Sequence, residues 1–384
     1  MRKLVLFLLC SVSLALAAEE SFKVYNRANG GFVIMEGDEI VGYSNHGSFD
    51  QIPDNAKGFL RSVGIKDSLF QVSGFRFQDG KIAPERVEKM LAAMADVEVG
   101  PILGDIAYDQ GAPYNNETPV YKGHHCPTGC VATAMVQIMD FYKHPKVCHG
   151  SVSYKTATLN ITISKNLEGY EPDWANILPA YQGDYTEAQG KAIADLMFAA
   201  GASVEMDYNE GGSGTQSMKV APAMAGHFDY DEAAEFVSKS DYVDADWHNL
   251  LQSEINAGRP LYYSSTQQQG DGHAYVCDGY QIQEGYEKYP FYHFNWGWGG
   301  LANGWFRLNK LHAKITMDGD ELDISYNQHT IIHLAPKGTL PIENVDNVTG
   351  VDGDAPMYDI YGRVVTEPQA GHLYIQNGYK IFVR

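Results

Sequence analysis

Residues 130–142, Cys-Val-Ala-Thr-Ala-Met-Val-Gln-Ile-Met-Asp-Phe-Tyr, form a helix-forming run with apolar side chains on nearly every side, among them Val131, Ala134, Met135, Ile138 and Met139. A helix of this kind has no face to give to water, so the rest of the chain must enclose it. Pro127 and Gly129 stand just before the run and put its start at Cys130. The thiol therefore sits at a helix N-terminus, where unpaired backbone N–H groups and the positive end of the helix dipole favour the thiolate, the form of cysteine that attacks carbonyls.

What encloses the helix can be read further along. Thr186 followed three residues later by Gln189 is a capping box for a helix ending at Gly201, and Asp244 or Asp246 can cap another that carries Trp247, Leu251 and Ile255 before Gly258. After Pro260 the pattern changes to strands at Leu261 to Ser264, His273 to Ile282, Phe291 to Asn295, Gly304 to Leu308 and His329 to Leu334, separated by glycine and polar turns. Helices first and antiparallel strands later make an α+β catalytic unit over 99–336. Alternation along the second strand puts His273, Tyr275 and Cys277 on one face and Ala274, Val276 and Asp278 on the other. That predicts His273 at a strand start, facing the place where the sheet meets the helix of Cys130.

A Cys early, Gly270-Asp271-Gly272-His273 much later, and then Asn295-Trp296-Gly297-Trp298-Gly299-Gly300 follow the order of a Cys–His hydrolase. Three further stretches accompany them: Tyr108-Asp109-Gln110 through Pro113-Tyr114-Asn115, Thr128 to Ala134, and Met206-Asp207-Tyr208 with Gly212-Ser213-Gly214. As an ordered set spanning roughly residues 20 to 335, these motifs resemble the streptopain-like cysteine peptidases of bacteria, which are papain-fold zymogens.

The resemblance implies a papain-like fold with a helical half and an antiparallel sheet half, and a secreted cysteine endopeptidase made as a self-processing zymogen. It implies Cys130 as nucleophile and His273 as the base that later protonates the departing nitrogen. It gives Gln110 a side-chain amide that joins the backbone N–H of Cys130 in an oxyanion hole. Asn295, Trp296 and Trp298 compete to orient His273, since papain-like sites use an Asn there and the streptopain-like group a Trp. Gly212, Ser213 and Gly214, with Gly272, are implied as walls of the substrate cleft. The alternatives are a Cys–His hydrolase or transferase on another acyl substrate, such as a cell-wall amidase or a transglutaminase-like enzyme, and a non-enzymatic surface binding protein on a peptidase fold.

Around this unit the chain divides further. Residues 1–18 carry Arg2 and Lys3, an apolar run from Leu4 to Leu16 and Ala15-Leu16-Ala17 ahead of Ala18, the pattern of a signal peptide that exports the protein from a bacterial cell. No other stretch approaches the ~20 apolar residues of a spanning helix. Residues 19–98 are expected as an inhibitory prodomain, by the resemblance, acting as an intramolecular inhibitor. They include a hairpin of Phe32 to Met35 and Ile40 to Tyr43 around Gly37-Asp38, and a helix opened by Pro84 with Val87, Met90, Leu91 and Met94 on one face. Residues 339–384 are expected as a small β-rich C-terminal appendage. The formal charge of −20 is spread along the chain without a basic run, which argues against a nucleic-acid partner and leaves protein or peptide substrates. Cys126, Cys130, Cys148 and Cys277 are expected as free thiols: a helix over 130–142, about 18 Å long, separates Cys126 from Cys148. No cofactor is implied, and His124-His125-Cys126 lacks a second ligand pair at zinc spacing.

Overall fold

The structure, a computed structural model, describes residues 22–27, 30–36, 39–48, 91, 97–266, 272–282, 290–308, 315–317, 320–322, 327–339, 342–344, 356–359, 364–366, 368, 372–376 and 379–383. The expected leader at 1–18, most of the helix expected after Pro84, and the Gly37-Asp38 turn lie outside the described residues.

Strands β1 (Phe22–Asn26), β2 (Phe32–Glu36) and β3 (Glu39–Ser44) make an antiparallel meander, the last two forming the expected hairpin. After β4 (Val97–Val99) come two small antiparallel pairs, β5 (Val120–Tyr121) with β6 (His124–His125) and β7 (Ser151–Lys155) with β8 (Thr162–Asn166), on either side of helix α1 (Cys130–Tyr142) in sequence. Helices α2 (Glu187–Ser203) and α3 (Val220–Phe228) complete the helical half. The chain continues through β9 (Glu235–Ser238), helix α4 (Asp244–Asn256), β10 (Leu261–Thr266), β11 (Gly272–Ile282), β12 (Phe291–Asn295), β13 (Gly304–Arg307), a small pair of β14 (Ile315–Met317) and β15 (Asp320–Leu322), and β16 (His329–Ile332). A separate five-stranded sheet ends it: β17 (Ile342–Asn344), β18 (Met357–Asp359), β19 (Val364–Val365), β20 (His372–Gln376) and β21 (Tyr379–Val383), with β17 parallel to β21.

The helix that the sequence puts at the centre is there: every residue from Val131 to Phe141 is buried. Gly129 precedes it at φ 87, and Lys143 ends it in the left-handed conformation, its N–H bonded to Asp140 and Met139 carbonyls. The Thr186 capping box opens α2, which runs to Ser203 and passes through Gly201, where a Cβ would lie 2.3 Å from the Tyr208 hydroxyl. The cap expected from Asp244 or Asp246 is different. Val243 holds the N-cap position of α4 without a side-chain bond, and both aspartates lie in the first turn, where the dipole favours their charge.

The main sheet orders its strands β1-β2-β3-β13-β12-β11-β10-β16-β9, and β4 pairs with the far half of β11. Ala274 and Val276 of β11 and Tyr262 of β10 pack under the helical half. Tyr275 and Cys277, with Leu261 and Tyr263, pack on the other side against Trp247, Phe294, Trp296 and Trp298. By alternation His273 belongs to the face of Tyr275, while Ala274 and Val276 take the face that α1 covers. The N-terminal strands are continuous with the catalytic sheet, because Tyr43 and Gly42 pair with Trp305 and Phe306 of β13. The boundary expected between 98 and 99 falls inside β4.

Candidate active site

Cys130 is the first residue of α1 and is half-buried. Its thiol accepts hydrogen bonds from backbone N–H groups of Ala274, Val131 and Cys130 itself. Ala274 is the residue after His273, so β11 delivers the imidazole and an amide to the same end of α1. Burial is the larger influence on the thiol and pushes its pKa up, while those amides pull it down. The helix N-terminus alone predicts a stabilised thiolate; desolvation in the folded site outweighs it.

His273 is buried, and its Nε2 lies 2.9 Å from the Trp296 carbonyl oxygen. A carbonyl only accepts, so Nε2 carries the proton and Nδ1 is the lone-pair nitrogen of the neutral ring. The imidazole lies nearly parallel to Trp298 at 4.8 Å between centroids and 18° between planes, and Trp298 stacks in turn on Trp296 at 5.4 Å. Tyr275 adds a further parallel contact at 5.7 Å. Enclosed in this way, the imidazolium loses its hydration, and burial drives the pKa down to about 4 against the pull of the Trp296 carbonyl. Burial therefore disfavours the charged form of each group taken by itself.

The three residues competing to orient His273 are separated by their contacts. Trp296 holds the imidazole through its main chain, while its own N–H donates to Asn303 Oδ1 at 3.0 Å and its indole to the Ala302 carbonyl at 3.0 Å. Trp298 covers the ring face. Asn295 is turned elsewhere: its amide donates to the Ile106 carbonyl at 2.6 Å, and its Oδ1 accepts from Gly297 N–H at 3.3 Å. Asn295 thus braces the turn that carries both tryptophans. Gly297 has φ 72, and a Cβ there would meet Thr133 of α1 at 3.0 Å, so the turn lies directly against the helix of Cys130.

Gln110 is half-buried on the segment leading to the Pro113 turn. Asp109 Oδ1 accepts from its N–H at 2.5 Å, and its carbonyl accepts from Thr128 N–H at 3.1 Å, two residues ahead of Cys130. The Gly212-Ser213-Gly214 loop is closed by paired hydrogen bonds between Asp207 and Gly214. It touches the nucleophile's own cap, for a Cβ on Gly129 would lie 2.8 Å from the Ser213 carbonyl oxygen and 2.7 Å from Met206 Sδ. Lys122 and Glu210, 3.0 Å apart, pair the β5–β6 hairpin with this loop at the surface. Gly272 is exposed at the start of β11, opposite Thr266. Cys130, His273, Trp296 and Trp298 are thus linked at one end of the sheet, with Gln110 and the Gly212–Gly214 loop tied to the segment just before Cys130, while Asn295 acts one step back.

Residues to which the sequence assigned no role also meet there. Tyr108 has its carbonyl bonded by Gly299 N–H at 2.7 Å and its N–H bonded to Gln137 Oε1 at 3.2 Å. Gln182 Nε2 donates to the Gly299 carbonyl at 2.5 Å. The available signal was Gln137, a lone amide inside an otherwise apolar stretch of helix. Cys126, Cys130, Cys148 and Cys277 are free thiols. Among the described residues no His, Cys, Asp and Glu cluster is suited to a metal, and no helix is long and apolar enough to cross a membrane.

Comparison with known proteins identifies the family. The model of the Peptidase C10 family matches residues 108–306. Streptopain of Streptococcus pyogenes is 34% identical over 314 residues, covering 75% of this chain and 74% of that protein. The thiol protease/hemagglutinin PrtT of Porphyromonas gingivalis is 32% identical over 337 residues, 83% of this chain but 37% of that longer protein. Among solved structures, a prointerpain A fragment from Prevotella intermedia superposes with a TM-score of 0.63 at 26% identity, covering 83% of this chain and 96% of the fragment. Active interpain A from the same organism gives a TM-score of 0.54 at 29% identity, covering 63% of this chain and 97% of its own. The α+β architecture is that of the papain-like cysteine peptidases.

Proposed function

The chain belongs to the peptidase C10 family and is a cysteine-type peptidase, and from that premise we propose that Cys130 and His273 carry out the hydrolysis. The Cys130 sulfur attacks the scissile carbonyl carbon as its proton passes to His273 Nδ1. The tetrahedral oxyanion is met by the backbone N–H of Cys130 and the Gln110 amide. His273 then gives its proton to the departing amine, which leaves a thioester. Water, deprotonated by His273, attacks the thioester and frees the acid and the thiol. The Trp296 carbonyl keeps Nε2 protonated and Nδ1 directed to the sulfur, and Trp298 excludes water from the ring. Burial makes separate charges costly, so proton transfer and attack proceed together. The Gly212–Gly214 loop and Gly272 flank the bound peptide.

The observation that carries this reading is the hydrogen bond from the amide of Ala274 to the thiol of Cys130, which joins the two motifs at one point. The protein is further proposed to be an exported endopeptidase precursor, led out by residues 1–18 and restrained by the N-terminal segment until it cuts itself. Val97–Val99 is paired with Tyr280–Ile282, and Asp278 accepts from Ile102 N–H through its carbonyl and from Leu103 N–H through Oδ2. A segment held in a sheet does not enter a cleft, which supports a cut before Val97 with 97–103 retained in the mature enzyme.

One experiment tests all of this. Purified precursor is incubated under reducing conditions and the new N-termini are sequenced, beside Cys130→Ala and a titration with an irreversible thiol-directed inhibitor. Stoichiometric label on Cys130, a stable full-length Cys130→Ala precursor and a first residue at or before Val97 are expected. Label absent from Cys130 refutes the mechanism; maturation of Cys130→Ala without other proteases refutes self-processing.

A further inference from the structure

Gln137 lies two helical turns beyond Cys130 on the same face of α1 and is fully buried. Its Oε1 accepts from Tyr108 N–H at 3.2 Å, and its Nε2 has no hydrogen-bond partner among the described residues. A buried amide with an unmade bond costs the desolvation of that donor, and an apolar side chain of like shape would be free of it. What the amide gains is therefore to be sought in what it holds.

It holds Tyr108, and Tyr108 is a junction. The hydroxyl of Tyr108 donates to the Leu178 carbonyl at 3.1 Å, and its carbonyl accepts from Gly299 N–H at 2.7 Å. Two residues on, the Gln110 carbonyl accepts from Thr128 N–H at 3.1 Å, and Thr128 leads through Gly129 into Cys130. The connections close a ring: α1 from Cys130 to Gln137, across to Tyr108, along to Gln110, across to Thr128 and back to Cys130. An arm of the ring, Gly299, belongs to the turn whose tryptophans hold His273.

We propose that Gln137 is a positioning residue that registers the Gln110 segment and the tryptophan turn on the helix of the nucleophile. The inference rests on the proposed roles of Cys130, Gln110 and His273. It predicts a separation of effects. Gln137→Met removes the unpaired donor but also the acceptor of Tyr108 N–H, so the melting temperature falls by no more than a few degrees and Cys130 still takes the inhibitor stoichiometrically. Meanwhile kcat on a peptide substrate falls about ten- to a hundredfold with KM little changed, because the Gln110 amide is no longer held at the developing oxyanion.

The experiment measures Tm, Cys130 labelling, kcat and KM for the unaltered enzyme and Gln137→Met. An unchanged kcat overturns the inference, and so does a loss of activity that tracks loss of labelling and of Tm, which is the signature of a merely structural residue. If the unaltered enzyme fails to label at Cys130, the underlying reading falls instead. Should Gln137→Met not fold, Gln137→Glu keeps an acceptor oxygen and carries the test. Its kcat relative to the unaltered enzyme rises as pH falls and the buried carboxyl takes up a proton; a ratio independent of pH overturns the inference.

Discussion

Asn295→Ala separates bracing from orienting. The side chain is 2% exposed and makes two hydrogen bonds, one to the Ile106 carbonyl at 2.6 Å and one from Gly297 N–H at 3.3 Å. Truncation leaves both partners unpaired in a buried place, where each costs about 1–3 kcal/mol, the longer bond at the low end. A total near ~3 kcal/mol corresponds to a Tm lower by roughly 6–12 °C for a domain of this size. His273 keeps its bond to the Trp296 carbonyl, so kcat/KM at 25 °C is expected to fall less than about tenfold, whereas loss of a residue that sets the imidazole's tautomer costs several powers of ten, ~10⁴ in the serine-protease case. The assay pairs a thermal melt with hydrolysis of a fluorogenic peptide. A loss of a thousandfold or more with an unchanged melt would mean that Asn295, and not the Trp296 carbonyl, orients the base.

Gly129→Ala forces a side chain onto a residue at φ 87, 2.7 Å from Met206 Sδ and 2.8 Å from the Ser213 carbonyl oxygen. The backbone conformation alone costs ~1–2 kcal/mol, and displacement of Cys130 should lower kcat/KM by roughly a hundredfold; a fully active variant with an unshifted melt contradicts the assigned geometry. Away from the site, His248 is buried against Tyr292, with Nδ1 3.0 Å from its hydroxyl, and desolvation holds its pKa down to about 4. The unfolded chain protonates this imidazole near 6.5 and the folded one does not. Its contribution is thus complete above pH 6.5 and is lost as pH falls toward 4, about 3 kcal/mol at ~1.4 kcal/mol per pH unit. Replacing it in His248→Phe should flatten the dependence of Tm on pH between 4 and 6.5, and an unchanged slope in calorimetry would contradict this assignment.

Local pattern alone determined the elements that matter most. An unbroken apolar helix from Cys130 to Tyr142, the Thr186 capping box and the strand beginning at His273 follow from side-chain periodicity and cap chemistry, which act between residues a few positions apart. The order of thiol, imidazole and tryptophan cluster made a cysteine-type hydrolase legible through the family those motifs resemble, since the residues themselves stand far apart in the chain. Only the tertiary structure decided which groups hold these residues. His273 shares the face of Tyr275, which packs on Trp296 and Trp298, while Ala274 and Val276 take the helical side and the amide of Ala274 reaches the Cys130 thiol. The partner of His273 is a main-chain carbonyl, and a carbonyl is present at every position, so no residue type marks it. Burial, which raises the thiol and lowers the imidazole against the pull of the helix dipole, depends on everything packed around them. Contacts such as Gln137 with Tyr108, and β3 with β13, join segments distant in the chain, and distance in sequence carries no periodic trace.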